Sequence, residues 1–203
     1  MNLFIDLDGT ILDISAKYNY VYTKLKNKYR LPILDYWSLR SNGLSFSEGL
    51  KRVGLPNSEV EEFREDWIST IETGNALEYD KLFDGVSDKL LSLSTRYNLI
   101  LCTSRKNREN LEWQIDNLGI SNAFDFLMLA GNGHTKSQEI IGYFKNLKIE
   151  DISKDWIIGD TREDMLAGVE ANINSCGVLT GLSLEKDLID SGATIVYESL
   201  NSF

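Results

Sequence analysis

The chain has 203 residues, enough to bury a full core as one large domain or as a main domain with a smaller one. With 42% hydrophobic residues, 26% charged residues and only two prolines it has the composition of an ordinary globular protein. Its net charge of -10 disfavours duplex nucleic acid or an anionic membrane surface as the main partner, since both require a basic footprint. A small anionic substrate stays open, because a few local cations and a metal ion can reverse the field inside a cleft.

The N-terminus enters a strand directly after Met1-Asn2, without the basic segment, apolar run and cleavage site of a signal peptide. No apolar run approaches the roughly 20 residues that span a bilayer. Cys102 and Cys176 each lie in an apolar run and read as reduced, buried thiols of a cytoplasmic protein. The first predicted strand covers residues 3–6 and runs into Asp6-Leu7-Asp8-Gly9-Thr10. Two carboxylates one residue apart repel each other, so a bound cation or a retained proton must compensate.

From residue 15 to residue 82 no strand pattern is present. The stretch has helical periodicity rich in Tyr, Trp, Leu, Lys and Glu, which Gly43, Gly54-Leu55-Pro56-Asn57 and Thr73-Gly74-Asn75 divide into about four helices. Strands then recur at 99–103, 126–129, 156–159, 176–179 and 194–196, with amphipathic helical stretches near 86–96, 107–118, 136–146, 163–171 and 184–191. The alternation predicts an α/β fold, a Rossmann-like parallel sheet with helices on both faces. Its strands are continuously apolar, as strands covered on both sides should be. The expected division is a core of residues 1–14 and 83–203 and a small all-helical domain of residues 15–82, with linkers near 13–15 and 82–85.

Ligands of an open α/β sheet bind at the carboxyl ends of its strands. The polar residues that end the apolar runs are Asp6 and Asp8, Thr103-Ser104-Arg105, the Gly131-Asn132-Gly133-His134-Thr135-Lys136 turn, and Asp160 to Asp164. Four carboxylates, two hydroxyls and a lysine would therefore meet on one edge. This set suits phosphoryl transfer through an aspartyl intermediate. A carboxylate nucleophile splits hydrolysis into two easier steps, and a second carboxylate that gives and takes a proton contributes ~10²–10⁴-fold. Mg²⁺ prefers carboxylate, carbonyl, phosphate and water oxygens and relieves the repulsion between nucleophile and phosphate. Lysine, hydroxyl and backbone N–H groups hold the equatorial oxygens.

Taken singly, each motif has a plainer reading. Asp6 to Thr10 can be a metal-free turn, and Asp160 to Asp164 a helix N-cap. An EF-hand is excluded because Gly9 comes too early and Lys17 stands where the bidentate Glu belongs. The glycine spacing around His134 fits neither a dinucleotide fingerprint nor a P-loop, and His134 itself reads as an exposed loop residue. The aromatic residues of 15–82 read as helix-packing surface.

Together and in this order, the motifs resemble those of the haloacid dehalogenase superfamily, in its phosphatase branch, along nearly the whole chain. "DLDGT", "LCTSR", Lys136 in "HTKSQ" and "IIGDTREDMLAG" are similar to its four motifs, and the helical stretch falls between the first two, as a cap does. The tail is similar to the closing strand-helix-strand of phosphoglycolate-phosphatase-like members. The resemblance implies that Asp6 is the nucleophile and that Asp8 is the general acid and base, its backbone carbonyl also reaching the metal. It implies that Asp160 completes the Mg²⁺ ligands, while Asp164 supports the metal's water shell or orients Lys136. Thr103 and the Ser104 backbone would grip the phosphate and Lys136 would neutralise it. Many relatives carry proline after this lysine, where the chain has Ser137-Gln138, so Lys106 and Lys145 stand as alternative bearers of the charge. An aspartate at position 8 favours phosphate ester or anhydride chemistry over dehalogenation.

The expected function is a Mg²⁺-dependent phosphatase acting on a small phosphorylated metabolite. The alternatives are a sugar phosphomutase of the same fold and a non-catalytic phosphate-binding protein. Arg40, Asn42, Lys51 and Arg52, in or near the mid-cap stretch "LRSNGLSFSEGL", are the candidates for contact with a polar or anionic leaving group.

Overall fold

The structure is a computed structural model that describes every residue except Asn132 and Glu150. Asn132, which belongs to the turn before Lys136, therefore lies outside the described residues. β1 (Asn2–Ile5) leads into a two-residue strand, β2 (Leu12–Asp13). The helical segment follows, with α1 (Ser15–Leu25), α2 (Tyr36–Arg40), α3 (Phe46–Arg52), α4 (Val60–Ile71) and α5 (Gly74–Leu77). β3 (Lys81–Leu82) returns the chain to the core. There β4 (Asn98–Thr103), β5 (Phe126–Leu129), β6 (Trp156–Gly159), β7 (Asn174–Val178) and β8 (Ile195–Tyr197) alternate with α6 (Val86–Ser94), α7 (Arg108–Asn117), α8 (Lys136–Leu147), α9 (Arg162–Ala171) and α10 (Glu185–Asp190).

Six strands form one sheet in the order β5-β4-β1-β6-β7-β8, and every pairing is parallel. β1 lies at the point where the strand order reverses, the place where open α/β sheets bind ligands. Alternate residues feed two cores. Leu3, Ile5, Leu99, Leu101 and Ile158 pack with Leu90 of α6 and Leu111 and Ile115 of α7. Phe4, Ile100, Cys102 and Ile157 pack on the opposite face with Ile140 and Phe144 of α8 and Ala167 of α9. Burial on both faces explains why these strands read as unbroken apolar runs. Cys102 and Cys176 are free and buried, and burial pushes both thiols up to about 12.

The helical segment has a third core of its own, built from Val21, Tyr22, Tyr36, Leu50, Phe63 and Trp67 among others. Its aromatic rings pack on one another. Tyr22 and Tyr36 stack at 4.6 Å, and Tyr18 and Trp67 meet edge to face at 5.2 Å. The segment holds five α-helices where the sequence pattern implies about four. Two short strands lie at the expected linkers. β2 and β3 form an antiparallel ribbon, Leu12 opposite Leu82 and Asp13 opposite Lys81, too short for any periodicity to announce it.

Candidate active site

The parallel register brings three strand ends together. Ile5 pairs with Leu101 of β4 and with Ile158 of β6, and the Asp6 N–H donates to the Ile158 carbonyl at 2.9 Å. Asp6, Thr103 and Asp160 therefore emerge side by side at the carboxyl edge. The turn after β1 needs glycine: Gly9 has φ +87°, and a Cβ there would lie 2.7 Å from Asp160 Oδ2. A Cβ at Gly159 would meet Asp164 Cγ at 2.1 Å, so β6 can pass beneath α9 only as glycine.

Asp6 is 5% exposed. Its Oδ1 accepts from Lys136 Nζ at 2.5 Å and its Oδ2 from the Thr10 hydroxyl at 3.3 Å. Lys136 also donates to Asp164 Oδ1 at 2.5 Å. Asp164 is fixed from behind by a capping box, in which its Oδ2 accepts from the Thr161 N–H and hydroxyl while its own N–H donates to Thr161 Oγ1. α8 begins with a second box, Thr135 with Gln138, which holds Lys136 at the helix start. Asp160, fully buried, accepts from the Leu182 N–H at 2.8 Å and the Thr10 hydroxyl at 3.4 Å. One carboxylate oxygen from each of Asp6, Asp160 and Asp164 lies within 4.8 Å of the other two.

Three buried carboxylates against one ammonium leave an excess of negative charge. Burial, opposed by Lys136 and reinforced by the neighbouring Asp164, pushes the Asp6 carboxyl up to about 7. Burial with Asp6 and Asp164 beside it drives Asp160 well above the usual carboxylate range. Burial alone would lower Lys136, but Asp164 and Asp6 raise it well above the ordinary lysine value. An all-oxygen, over-charged pocket of this kind fits a hard divalent cation.

Asp8 stands apart from the triad. Its Oδ2 accepts from Arg105 Nε and its Oδ1 from Arg105 Nη2, both at 2.7 Å, a bidentate clamp. Lys17 Nζ adds a third bond to Oδ1 at 2.7 Å. Burial raises the Asp8 carboxyl, but Arg105 and Lys17 outweigh it and hold the group well below the usual range, as the anion. Both cations also bind Asp80 Oδ2, at 2.7 Å from Lys17 and 3.1 Å from Arg105, and Gln114 Nε2 reaches the same oxygen at 2.9 Å. The compensation for Asp8 is thus two protein cations, which the sequence reading did not assign. Arg105 was visible at its strand end, but the partners Asp80 and Lys17 are separated by 63 residues, and no local pattern marks such a pair.

A cleft of about 460 Å³ opens over this edge. Asp6, Asp8, Thr103, Ser104, Arg105, Lys136, Thr161, Glu163 and Leu182 line its core side. Residues of α1 and α4, with Glu72, close it from the helical segment. Of the expected substrate contacts in that segment, none lines the cleft. Arg40 is buried and donates to the Leu44 carbonyl, Asn42 is exposed and bonds to the Ser38 carbonyl, and Lys51 and Arg52 are exposed on α3. The segment presents α4 instead. Of the alternatives to Lys136, Lys106 and Lys145 are exposed. His134 is exposed and pairs with Glu139 at 2.6 Å.

Among the described residues no helix is long and apolar enough to cross a membrane. No curated protein sequence matches the chain. Solved structures do. A haloacid dehalogenase-like family hydrolase from Streptococcus pneumoniae is 22% identical with a TM-score of 0.82, over 99% of this chain and 95% of that one. A predicted phosphatase from Clostridium acetobutylicum is 21% identical with a TM-score of 0.78, over 99% and 94%. A Thermotoga maritima protein described provisionally as a β-phosphoglucomutase is 23% identical with a TM-score of 0.69, over 100% and 96%. At such identities the likeness is one of fold. The family model for haloacid dehalogenase-like hydrolases, in contrast, matches residues 3–178, which carry Asp6, Asp8, Thr103, Lys136, Asp160 and Asp164. The chain belongs to the haloacid dehalogenase-like hydrolase family.

Proposed function

We propose that this protein is a Mg²⁺-dependent phosphatase of a small phosphorylated metabolite, working through a phosphorylated Asp6. The observation that carries the reading is the buried Asp6 carboxylate, held by Lys136 beside Asp160 and Asp164 at the floor of the cleft. Asp6, Asp160 and Asp164, with the Asp8 carbonyl, are the groups available to Mg²⁺, which when bound screens the nucleophile from the phosphate dianion. Lys136, Thr103 and the Ser104 backbone hold the phosphoryl oxygens. An Asp6 oxygen attacks phosphorus and the bond to the leaving oxygen breaks, with that oxygen taking a proton from Asp8. Water then attacks phosphorus, giving its proton to Asp8, and Asp6 is released with inorganic phosphate. The anionic Asp8 is ready for the second step. The first requires it to take up a proton and loosen its bonds to Arg105 and Lys17.

Residues 15–82 act as a cap that excludes water and supplies the wall over the leaving group. The net charge and a cleft of about 460 Å³ favour a small molecule over nucleic acid or a membrane surface, in a cytoplasmic setting. The cap contains no histidine to serve a second sugar as acid or base, which favours hydrolysis over mutase chemistry. Phosphate release in the presence of Mg²⁺ is the test. Asp6→Asn should abolish it while keeping the fold, and Asp160→Ala should shift the Mg²⁺ titration to higher concentration. Wild-type turnover by Asp6→Asn would end the proposal, and isomerisation of a sugar phosphate without net release would replace it with the mutase.

A further inference from the structure

The wall of the cleft opposite the catalytic edge is one stripe of α4. Arg64, Trp67, Ile68, Ile71 and, just past the helix end, Glu72 follow the i, i+3, i+4, i+7, i+8 spacing of a single helical face. The two ends of the stripe differ. Glu72 accepts from the backbone N–H groups of Lys106 (3.0 Å) and Asn107 (2.8 Å), directly after Thr103-Ser104-Arg105, so this end lies against the phosphate-binding loop. Arg64 lies eight residues earlier, about 12 Å along the axis at ~1.5 Å per residue. Between them Ile68 remains 37% exposed, an isoleucine facing the cleft with nothing on it.

The other charges of the cleft are committed. Lys136 holds Asp6, Arg105 and Lys17 hold Asp8, and Glu72 is taken by the two amides. Arg64 has no close ion pair among the described residues: it makes a 3.6 Å contact with Glu61, whose side chain is 77% exposed, a 3.5 Å bond to the Ser47 hydroxyl, and lies 5.0 Å over the Phe46 ring. Glu163 has no ion-pair partner among the described residues, and it puts a further negative charge on the core wall next to Asp164. A second anion is therefore disfavoured beside the phosphate and favoured at Arg64. Ile68 and Ile71 offer no partner for hydroxyl groups, so a polyol on this wall would lose hydrogen bonds to water without replacement.

We infer that the group leaving the phosphate is an apolar chain or ring that ends in a carboxylate, lying along Ile71 and Ile68 with its carboxylate on Arg64. Hydrolysis then consumes one water and yields a hydroxy acid and inorganic phosphate. This inference rests on the phosphatase reading and names its substrate class. A two-carbon acid is too short to join the phosphate site to Arg64, and a sugar phosphate is too polar for the wall.

The test is phosphate release with Mg²⁺ from 2-phosphooxyacetate, 4-phosphooxybutanoate, 6-phosphooxyhexanoate, hexyl phosphate and glucose 6-phosphate, with acetyl phosphate as a minimal substrate for Asp6. Each methylene moved onto the stripe is worth about fourfold, so kcat/KM should rise at least tenfold from the two-carbon to the six-carbon acid. The six-carbon acid should exceed hexyl phosphate about tenfold, a ratio that Arg64→Gln should bring near one. Ile68→Glu, at an exposed position, should lower kcat/KM for the six-carbon acid more than for hexyl phosphate. Preference for glucose 6-phosphate or for the two-carbon acid would overturn the inference, as would an unchanged acid-to-alkyl ratio in Arg64→Gln. If even acetyl phosphate is not hydrolysed, the phosphatase reading fails separately. Calorimetric binding of 6-phosphooxyhexanoate against glucose 6-phosphate then decides the pocket: at least tenfold tighter binding of the acid supports it, and equal or reversed affinity overturns it.

Discussion

Replacing Lys17 by methionine removes one cation from a buried group of four charges. Lys17 is 2% exposed and bonds Asp8 and Asp80 at 2.7 Å each. Methionine keeps an unbranched apolar stem but leaves two carboxylates facing the single guanidinium of Arg105. Asp80 has no exposed side-chain surface, so bulk solvent does not reach it to take the place of the ammonium. Removing one member of a buried ion pair costs about 3–5 kcal/mol because the remaining charge is stranded. For a chain of this size that is a fall in Tm of about 6–20 °C, at ~2–4 °C per kcal/mol. Urea unfolding followed by circular dichroism at pH 7 measures it directly. Asp80→Asn added to Lys17→Met removes the stranded anion and should recover part of the loss, a coupling of about 0.5–3 kcal/mol. Lys28→Met, which breaks an ion pair on a half-exposed lysine, should leave the midpoint near wild type. A Lys17→Met loss under about 1 kcal/mol with an unchanged m-value would refute the reasoning.

The metal-free protein should lose stability as pH rises from about 4 to about 7. Asp6 keeps its proton in the fold up to about 7 but releases it near 3.8 when unfolded, and at ~1.4 kcal/mol per pH unit this amounts to about 4 kcal/mol. Asp8 acts with the opposite sign: its stabilisation is present above its unfolded value and is lost as pH falls below that. Thermal melts across pH 3–8 should therefore peak in the mildly acidic range, and Mg²⁺ should raise Tm more at pH 7 than at pH 5; a rising profile through pH 7 without metal would contradict this. Gly159→Ala should destabilise by about 1–3 kcal/mol or more through overpacking against Asp164, and should weaken Mg²⁺ binding measured by calorimetry; an unaltered titration would show that Asp164 can move freely. Phe63→Ala, at a fully buried position in the helical segment, should cost about 3–5 kcal/mol in urea unfolding, and a loss under 1.5 kcal/mol would mean that the aromatic cluster closes over the cavity.

The parts of this molecule that were legible in the sequence are those whose signal is local. The core strands carry unbroken apolar runs of three or four residues because helices cover both faces, and the polar residues that end them mark the carboxyl edge without further information. Asp6, Thr103, Lys136 and Asp160 could be collected in this way. The β2–β3 ribbon could not, since two residues show no period. The wall that the helical segment presents was misjudged for a different reason. Arg40 carries a charge next to a glycine-containing loop and reads as a ligand contact, but its side chain turns inward to the Leu44 carbonyl and packs against Gly49. The face that meets the cleft is set by how α4 docks on α1 through Tyr18 and Trp67, and no residue pattern within α4 shows which of its sides will face the core.

The pairing of Asp6 with Asp8 shows how the two kinds of information combine. Spacing alone requires that something compensate two neighbouring carboxylates, and one cation or one shared proton would serve. The fold resolves the conflict by sending the two side chains to different partners. Asp6 turns to Lys136 and joins Asp160 and Asp164, a set that remains over-charged and has room for a divalent ion. Asp8 turns to Arg105 and Lys17, which with Asp80 make a group of two acids and two bases that is neutral without any ion. One acid of that group, Asp8, comes from the turn after β1, one base, Arg105, from the loop after β4, and the remaining base and acid from the two ends of the helical segment, Lys17 in α1 and Asp80 just before β3. The position of the helical segment and the position of the Asp8 carboxylate are therefore fixed by the same bonds, so a displacement of Lys17 or Asp80 changes the electrostatic field at Asp8 before it changes any contact in the triad.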